Sequence, residues 1–453
     1  MTGQVNSDAY TPQSGDPHIS VSHYDLTLDY KVTTNRLSGT AVVRGTAVAS
    51  TKTIALDLVG LRATKVRVTG AKAASFRQTD RKLRITLPSE LAPGDEFEAT
   101  ILYAGAPRPR RTRWGTIGWE ELEDGVLVAS QPTGAATWFP CNDVPADKAM
   151  YRISVSTDAG YTVAVTGREV SRTTRGGKTT WVYESVAPTA TYLATVQIGR
   201  YTTEQVALGS VSARLIYPQP LAARVHADFA DLGQMMSVFE ETFGPYPFED
   251  YVAIVTEDDL EIPLEAQGMG IFGANHIDGV GGLERLVAHE LAHQWFGNSV
   301  GIAAWHDIWL NEGFACYAEW IWSERSGGPT AHAKALTHYG RLSLLEKDLL
   351  LGDPGADLMF DDRIYKRGAL TLHALRLTIG DEAFFSALRI WTERYRGEAT
   401  STPEFIALAE EVSGMALGGL FEEWLEQREL PALPAGAVVA PVTAARRRGS
   451  GRG

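Results

Sequence analysis

The stretch LERLVAHELAHQWFGNSV, residues 283–300, is the segment from which the rest of the chain can be interpreted. Its leucines and valine recur at helical spacing, and Gly297 stands where such a helix would end. His289 and His293 are four residues apart, so both imidazoles project from one face of the helix. That spacing suits two ligands of one tetrahedral metal ion, and Glu290 borders the same face without being a ligand. The stretch therefore predicts a zinc-binding helix on which Glu290 is the general base.

A catalytic zinc takes three protein ligands and keeps one position open for water. Three downstream residues are candidates for the third ligand. His306 and Asp307 fall in a loop or at a helix start, whereas Glu312 falls on the next predicted helix, with 18 residues between it and His293. Asp307 has the character of the N-cap of that helix, and Glu319 shares a face with Glu312, where it can hold a ligand in place. The pattern favours Glu312 as the third ligand.

Composition limits the remaining possibilities. The chain has 453 residues, of which 44% are hydrophobic and 21% charged, as expected of a globular protein with two or three domains. A formal net charge of -13 argues against nucleic acid as a partner. We expect no membrane span, because no apolar run approaches the required length. Cys141 and Cys316 are too few for a disulfide framework, and the N-terminal sequence does not resemble a signal peptide. These features predict a cytoplasmic protein.

The chain divides into a β-rich part and a helical part, which predicts an α+β fold. We expect a flexible N-terminus over residues 1–19 and an antiparallel β domain over residues 20–203, where short segments alternate apolar and polar residues. A thermolysin-like, mainly helical catalytic domain should follow over residues 204–430, and a disordered tail over residues 431–453. Turn-forming and charged residues predict a surface loop over residues 106–125. Helical spacing predicts helices over residues 220–243, 283–296, 308–324, 331–348, 364–379, 382–395, 403–413 and 417–428.

Several segments together resemble the aminopeptidase N family of zinc exopeptidases. HELAHQWFGN followed by WLNEGFA carries the resemblance, and further segments match in the same order over roughly residues 20–430. They are TWFPCNDVPADKAMYRISV (137–155), FGPYPFEDY (243–251) and IYKRGALTLHALR (364–376). The resemblance implies one zinc ion per chain and peptide substrates with a free N-terminus. Many members carry a long C-terminal helical region. We expect a short form without it, whose site is more open or is covered by an oligomeric partner.

The resemblance also implies roles for three residues outside the metal group. Tyr365 precedes a Lys-Arg-Gly step and corresponds to the tyrosine that donates to the oxyanion. Glu265, in EIPLEAQGMG (261–270), corresponds to the glutamate that binds the substrate ammonium, although the surrounding letters differ from the family motif. Gln131 corresponds to a second substrate contact from the β domain. Thr133 departs from the family pattern there, because it cannot replace a carboxylate.

Two other functions stay open at this point. Without a firm ammonium anchor, the same site could serve a zinc endopeptidase or a leukotriene-type epoxide hydrolase. A protein of this fold could also be a binding module that has lost catalysis. Positions 289, 290, 293, 312 and 365 are all intact, which favours an enzyme.

Overall fold

Alternating apolar and polar residues in the first half of the chain form the strands of a β domain. The computed structural model describes residues 8–435. In chain order, the strands of this half are β1 (Ile19–Lys31), β2 (Arg36–Ala47), β3 (Thr51–Asp57), β4 (Arg62–Val68), β5 (Ser75–Gln78), β6 (Lys82–Leu91), β7 (Glu96–Gly105), β8 (Arg110–Thr112), β9 (Gly115–Leu122), β10 (Gly125–Ala129), β11 (Met150–Asp158), β12 (Thr162–Val165), β13 (Arg168–Arg175), β14 (Lys178–Glu184) and β15 (Val196–Gly199).

These strands form three sheets. The largest has the order β13-β14-β11-β1-β2-β7-β4, a second has the order β12-β15-β10-β9-β8, and a third has the order β3-β6-β5. Pairing is antiparallel as predicted, except that β1 and β11 run parallel, with Tyr24 opposite Tyr151. The inward-facing side chains make one core that includes the fully buried Trp119 and Trp138.

The prediction of a surface loop over residues 106–125 was wrong. Most of this segment forms the β8–β9 hairpin, in which Arg110 pairs with Ile117. Ile117 and Trp119 point into the core with 6% and 0% of their surfaces exposed, so the stretch has the two-residue period of a half-buried strand. The charged residues that suggested a loop are exposed or partly exposed along the hairpin.

The second half of the chain is mainly helical and contains two small sheets. Its strands are β16 (Thr202–Leu208), β17 (Val211–Tyr217), β18 (Asp250–Val255), β19 (Leu264–Ala266), β20 (Met269–Phe272), β21 (Gly301–Ile302) and β22 (Ala399–Thr400). Its helices are α1 (Ala222–Asp228), α2 (Leu232–Phe243), α3 (Glu284–Ala292), α4 (Trp309–Arg325), α5 (Ala331–Leu342), α6 (Asp362–Arg394), α7 (Thr402–Ser413) and α8 (Gly418–Phe421). A five-stranded sheet, in the order β16-β17-β18-β20-β19, borders α3. The predicted order of a β domain and a mainly helical domain is confirmed.

The predicted helices exist, but several of their limits differ. The helix expected over residues 220–243 is broken into α1 and α2 around residues 229–231. Two expected helices meet without a loop in α6, where Gly380 has a φ of 81°, a value that favours glycine. Pro403 lies in the first turn of α7, and Ser401 with Glu404 forms a capping box there. The last predicted helix is shortened to α8 and a single π-helical turn over Glu422–Glu426.

The N-terminal segment differs from the flexible one expected over residues 1–19. Asp8 is buried, and its carboxylate accepts a hydrogen bond of 2.7 Å from the backbone nitrogen of Trp305 in the helical half. The hydroxyl of Tyr10 contacts Asp353 and accepts from the backbone of Gly355. Residues 8–19 therefore form part of the packed structure. Most of the tail expected over residues 431–453 lies outside the described residues. Among the residues described, no helix is both long and apolar enough to cross a membrane.

Candidate metal centre

Helix α3 and its C-terminal turn place the two histidines at one height. His289 lies in the last turn of α3, and His293 forms its C-terminal cap, so the two rings are 4.7 Å apart between centroids. Gly297 ends the segment with a φ of 106°, and a Cβ atom there would lie 3.2 Å from the Cγ atom of Asn311. Helical periodicity therefore sets the pair of imidazoles, and a glycine allows the chain to turn away beneath them.

A third potential metal ligand, Glu312, lies next to the two histidines and comes from the adjacent helix α4. The Oε2 atom of Glu312 lies 3.4 Å from the Nε2 atom of His289 and 3.4 Å from that of His293. The remaining ring nitrogens face acceptors, because the Nδ1 of His289 is 2.8 Å from Glu319 and that of His293 is 3.1 Å from the carbonyl of Phe296. An acceptor beside each Nδ1 favours the tautomer with its proton on Nδ1. The lone pair of each Nε2 is then free to bind a metal ion next to Glu312.

This group has the properties of a cation site. One potential ligand atom from each of His289, His293 and Glu312 lies within 4.8 Å of the others, and the carboxylate oxygens Oε2 of Glu312 and of Glu290 are buried without a hydrogen bond among the described residues. Although burial opposes it, His293 and His289 lower the pKa of Glu312 to about 2. Two imidazole nitrogens and one carboxylate are a donor set that fits zinc with an open position.

The two other candidates for the third ligand lie elsewhere. The carboxylate of Asp307 accepts hydrogen bonds from the backbone and the hydroxyl of Thr402, at 3.2 and 2.6 Å, and so anchors the start of α7. The prediction that Asp307 is the N-cap of α4 was wrong, because Ile308 holds that position. His306 is exposed and only approaches Asp307. Of the three candidates, only Glu312 is brought to the histidine pair.

Glu265 and Glu290 form a second group of potential ligands with His293. Strand β19 carries Glu265 opposite Gly270 of β20, and one oxygen each of Glu265 and Glu290 lies within 4.8 Å of a nitrogen of His293. A Cβ atom on Gly270 would lie 3.3 Å from the Cβ of Glu290 and 2.6 Å from the hydroxyl of Tyr251. Glycine at that position therefore allows β20 to approach α3, the helix of the two histidines, closely. Burial raises the pKa of Glu290 to about 8.

The β domain contributes one residue to this side of the site. Gln131, in the turn after β10, donates from its amide nitrogen to the Oε1 atom of Glu265 at 2.8 Å. The family resemblance implied that these two residues share one substrate site, and the structure brings them into contact although they are 134 positions apart. The hydroxyl of Thr133 accepts from Arg110 at 2.5 Å.

Tyr365 approaches the histidines from the first turn of α6. Its ring stacks on that of His289, with centroids 5.9 Å apart and planes 24° from parallel. Helices α4 and α6 can meet this closely because Gly313 faces Gly368, and a Cβ on Gly313 would lie 2.8 Å from the Cα of Gly368. Burial raises the pKa of Tyr365 well above its usual value, so the hydroxyl keeps its proton as a hydrogen-bond donor.

Two residues that sequence analysis missed connect the metal helix to the strand of Glu265. Gln294 accepts from the backbone of Gly268 at 2.9 Å, and Asn298 donates to the carbonyl of Ala266 at 2.9 Å. Both side chains are completely buried. The available signal was their position among apolar residues directly after His293, because a buried amide must find hydrogen-bond partners.

Comparisons with known proteins agree with this arrangement. The model of the "Peptidase M1 N-terminal domain" matches residues 20–193, and that of the "Peptidase family M1 domain" matches residues 228–424. The solved structure of a variant M1 zinc metallopeptidase from Deinococcus radiodurans, bound to the substrate Tyr-Ser-Ala, is 33% identical. It superposes with a TM-score of 0.86 over 94% of this chain and 99% of that one. The chain belongs to the M1 peptidase family.

This M1 chain is also similar to longer proteins. It is 28% identical over 375 residues to aminopeptidase M1-A of Oryza sativa subsp. japonica, covering 76% of this chain and 42% of the relative. It is 22% identical over 438 residues to leucyl aminopeptidase of Saccharolobus solfataricus, covering 91% of this chain and 54% of the relative. The M1 chain thus spans about half the length of the curated relatives it matches. The predicted family and its zinc cofactor are confirmed, because similar solved structures are two-domain M1 zinc metallopeptidases.

Proposed function

We propose that the chain is a zinc-dependent aminopeptidase that hydrolyses the N-terminal peptide bond of peptides. The observation that carries the proposal is the short separation of Glu265 and Glu290 around His293, where the three potential ligand atoms lie within 4.8 Å of one another. A substrate ammonium held by Glu265 has its first carbonyl carbon only about 2.5 Å from the amine nitrogen, as standard bond lengths require. The first peptide bond is therefore the one that reaches Glu290.

The metal-binding residues in this proposal are His289, His293 and Glu312. When bound, zinc polarises the scissile carbonyl and lowers the pKa of a coordinated water. Glu319 holds the ring of His289 through its hydrogen bond to Nδ1, and the carbonyl of Phe296 does the same for His293. These partners fix the orientation of both rings before substrate arrives.

Glu290 and Tyr365 carry out the proton and hydrogen-bond steps. The carboxylate of Glu290 accepts a proton from the attacking water and passes it to the nitrogen of the leaving amine. The hydroxyl of Tyr365 donates a hydrogen bond to the carbonyl oxygen as negative charge develops on it, an interaction typically worth about 10²–10³ in rate. Tyr365 lies close enough for this role because its ring is stacked on His289.

Selection for a free N-terminus falls to Glu265. Its partly buried carboxylate pairs with the substrate ammonium, and an acylated N-terminus offers no positive charge to that carboxylate. Gln131 holds Glu265 through the hydrogen bond of 2.8 Å and borders the first residue of the substrate. The names of the relatives support this reading, since they are aminopeptidases, and the Deinococcus radiodurans structure holds the peptide Tyr-Ser-Ala.

A panel of aminoacyl fluorogenic amides, each with a free or an acetylated amine, tests the proposal. We expect hydrolysis of the free forms, loss of activity with a chelator, and recovery when zinc is restored. Equal cleavage of free and acetylated forms would replace the aminopeptidase with an endopeptidase. A zinc-loaded preparation that cleaves none of them would favour a binding protein or an epoxide hydrolase.

The cytoplasm is the location that we propose. Cys141 and Cys316 are both free and both buried, which suits a compartment where thiols stay reduced. Fractionation of the source cells, with activity on the preferred amide as the readout, tests this proposal. Activity found only outside the cells would contradict it.

A further inference from the structure

A basic cavity lies between the N-terminal segment, residues 10–14, and the β domain. Its volume is about 450 Å³, which falls within the range of about 300–1,000 Å³ typical of ligand pockets. Four arginines line it, and none of the described residues that line it is acidic. They are Arg81, Arg110, Arg111 and Arg113. This concentration of positive charge contrasts with the net charge of -13 of the whole chain.

Most of these guanidinium groups lack a carboxylate partner. Arg113 pairs with the exposed Asp357 at 2.9 Å. Arg81 donates to Gln13, and Arg110 donates to Thr133, but both acceptors are neutral. The side chain of Arg111 makes no ion pair with the residues that the structure describes. Three positive charges at the cavity are therefore free to bind an anion.

The innermost arginine also has unused hydrogen-bonding capacity. The Nε atom of Arg110 is buried and donates no hydrogen bond within residues 8–435. A planar guanidinium presents two parallel donors to a carboxylate, which makes arginine well suited to binding one.

Two buried acidic groups near Arg110 do not supply that anion. Asp57 pairs with Lys82 at 2.8 Å. Asp143 accepts from the hydroxyl of Thr191, and burial raises its pKa to about 7. Neither residue lines the cavity. The charged side chains that line the cavity are therefore all positive.

The cavity is close to the proposed path of the substrate. Thr133 lines it and lies two residues from Gln131, which contacts Glu265. A path from the carboxylate of Glu265 to the guanidinium of Arg110 runs through Gln131 and Thr133. Its two Cα–Cα steps and its side chains add up to at most about 20 Å. An extended peptide rises about 3.3 Å per residue, so this distance corresponds to at most about six residues.

The cavity also borders the segment that leads to Tyr365. The indole of Trp114 donates to the carbonyl of Ala356 at 2.5 Å, and Arg113 binds Asp357, the next residue. This segment immediately precedes α6. One lining residue, Thr133, therefore lies in the turn that carries Gln131, and two others contact the segment that leads to Tyr365.

We propose that this cavity is a second substrate subsite, which binds a carboxylate of the peptide downstream of the cleaved bond. The carboxylate is either the C-terminus of a peptide of about three to six residues or the side chain of an Asp or Glu at those positions. The inference deepens the proposed aminopeptidase function and rests on it. It makes short, acidic peptides the preferred substrate class.

The test compares hexapeptides that share a leucine N-terminus and alanine elsewhere. One ends in a free carboxylate, one in an amide, and a third set ends in an amide but carries a single glutamate at successive positions. We expect kcat/KM for leucine release to be about tenfold higher with a carboxylate than with the plain amide, from an ion pair worth about 1.4 kcal/mol. The first and third arms distinguish the C-terminus from an acidic side chain as the source.

Variants locate the effect in the cavity. Arg111→Gln and Arg81→Gln should bring the ratio of kcat/KM for acid and amide peptides close to one, mainly through KM. Arg175→Gln is the matched control, because it removes the same charge from an exposed site on β13, and it should keep the ratio. A ratio that survives in the first two variants, or that is lost equally in the control, overturns the proposal.

Two measurements on the unmodified protein complete the test. The preference for the acid should shrink between about 0.02 M and about 0.5 M salt, since exposed ion pairs are screened, and a constant preference contradicts an ionic subsite. Leucine p-nitroanilide has no downstream carboxylate and reports the proposed function alone. If the anilide is cleaved but acid and amide peptides react equally, only the subsite is refuted. If the anilide and the peptides are all inert, the aminopeptidase proposal fails.

Discussion

The three potential zinc ligands form the metal group, and Glu265 with Gln131 forms what we call the amine group. Both groups lie next to His293, yet they are built differently. His289, His293 and Glu312 come from two adjacent helices of one domain and lie within 24 positions of each other. Glu265 lies on an edge strand, and its partner Gln131 comes from the other domain, 134 positions away. The first group depends on helical periodicity and one helix contact, whereas the second depends on how two domains dock. We therefore expect changes to the metal group to affect chemistry and changes to the amine group to affect substrate selection.

The largest expected effects come from replacing Glu290 or Glu312. They distinguish the role of a general base from that of a metal ligand. Glu290→Gln should retain zinc but lower kcat by about 10³–10⁴, because the amide cannot accept the proton of water. Glu312→Gln should lose both zinc and activity. Zinc per chain and turnover of a free aminoacyl amide are the measurements, with Glu284→Gln on the same helix as the control. Substantial turnover by Glu290→Gln would refute its assignment as the base.

Tyr365→Phe should lower kcat by about 10²–10³ through loss of one donor to the oxyanion. Discrimination between free and acetylated substrates should not change, because the amine group is untouched. Tyr339→Phe on α5 removes a hydroxyl outside the site and is the matched control. A change mainly in KM, with kcat preserved, would show that Tyr365 binds substrate instead of stabilising the transition state.

Glu265→Gln should lower kcat/KM for free-amine substrates by about 10²-fold, because truncating one partner of a buried charge pair costs roughly 3 kcal/mol. Zinc content should stay normal, and the preference for free over acetylated substrates should vanish. Glu261→Gln, on the exposed part of the same segment, should change neither property. A preserved preference in Glu265→Gln would contradict the separation of the two groups.

Gln131→Ala should raise KM for free-amine substrates about tenfold and leave kcat nearly unchanged. The change removes one hydrogen bond to a charged group, which is worth about 1.5 kcal/mol. Gln205→Ala, an exposed position on β16, serves as the control. An effect on kcat as large as that of Tyr365→Phe would mean that the β domain acts on the chemistry itself.

The prediction with the smallest expected effect on turnover concerns Lys148. This residue joins the β domain to the segment that follows His293. Its ammonium donates to the carbonyls of Asn298 and Ser299 at 3.1 and 2.8 Å, and burial lowers its pKa from 10.5 to about 7. Between these values the unfolded chain binds more protons than the folded one, so this residue makes the free energy of unfolding rise with pH. Lys148→Met should remove about 2 kcal/mol of the gain between pH 7 and pH 9. Urea unfolding at both pH values measures it, and an unchanged gain would contradict the assignment.

Features that depend on residues close in the chain could be predicted from the sequence, whereas features that depend on distant residues could not. The zinc helix and the third ligand candidate on α4 could be predicted because each depends on residues close in the chain. The segment of residues 106–125 was misjudged because its charges masked a two-residue period of buried side chains. Asp307 was misassigned because its true partner, Thr402, lies 95 positions away.

By itself, the sequence predicted the metal group and the role of Glu290 as its general base. Spacing along a helix translates directly into side chains on one face, so His289, Glu290 and His293 needed no tertiary information. Only the tertiary structure decided which groups surround them. The approach of α4 to α6 depends on two glycines, Gly313 and Gly368, that meet at backbone distance. The contact of Gln131 with Glu265, and the arginine cavity beside it, arise where distant segments pack together, and packing across such separations leaves no periodic pattern in the sequence.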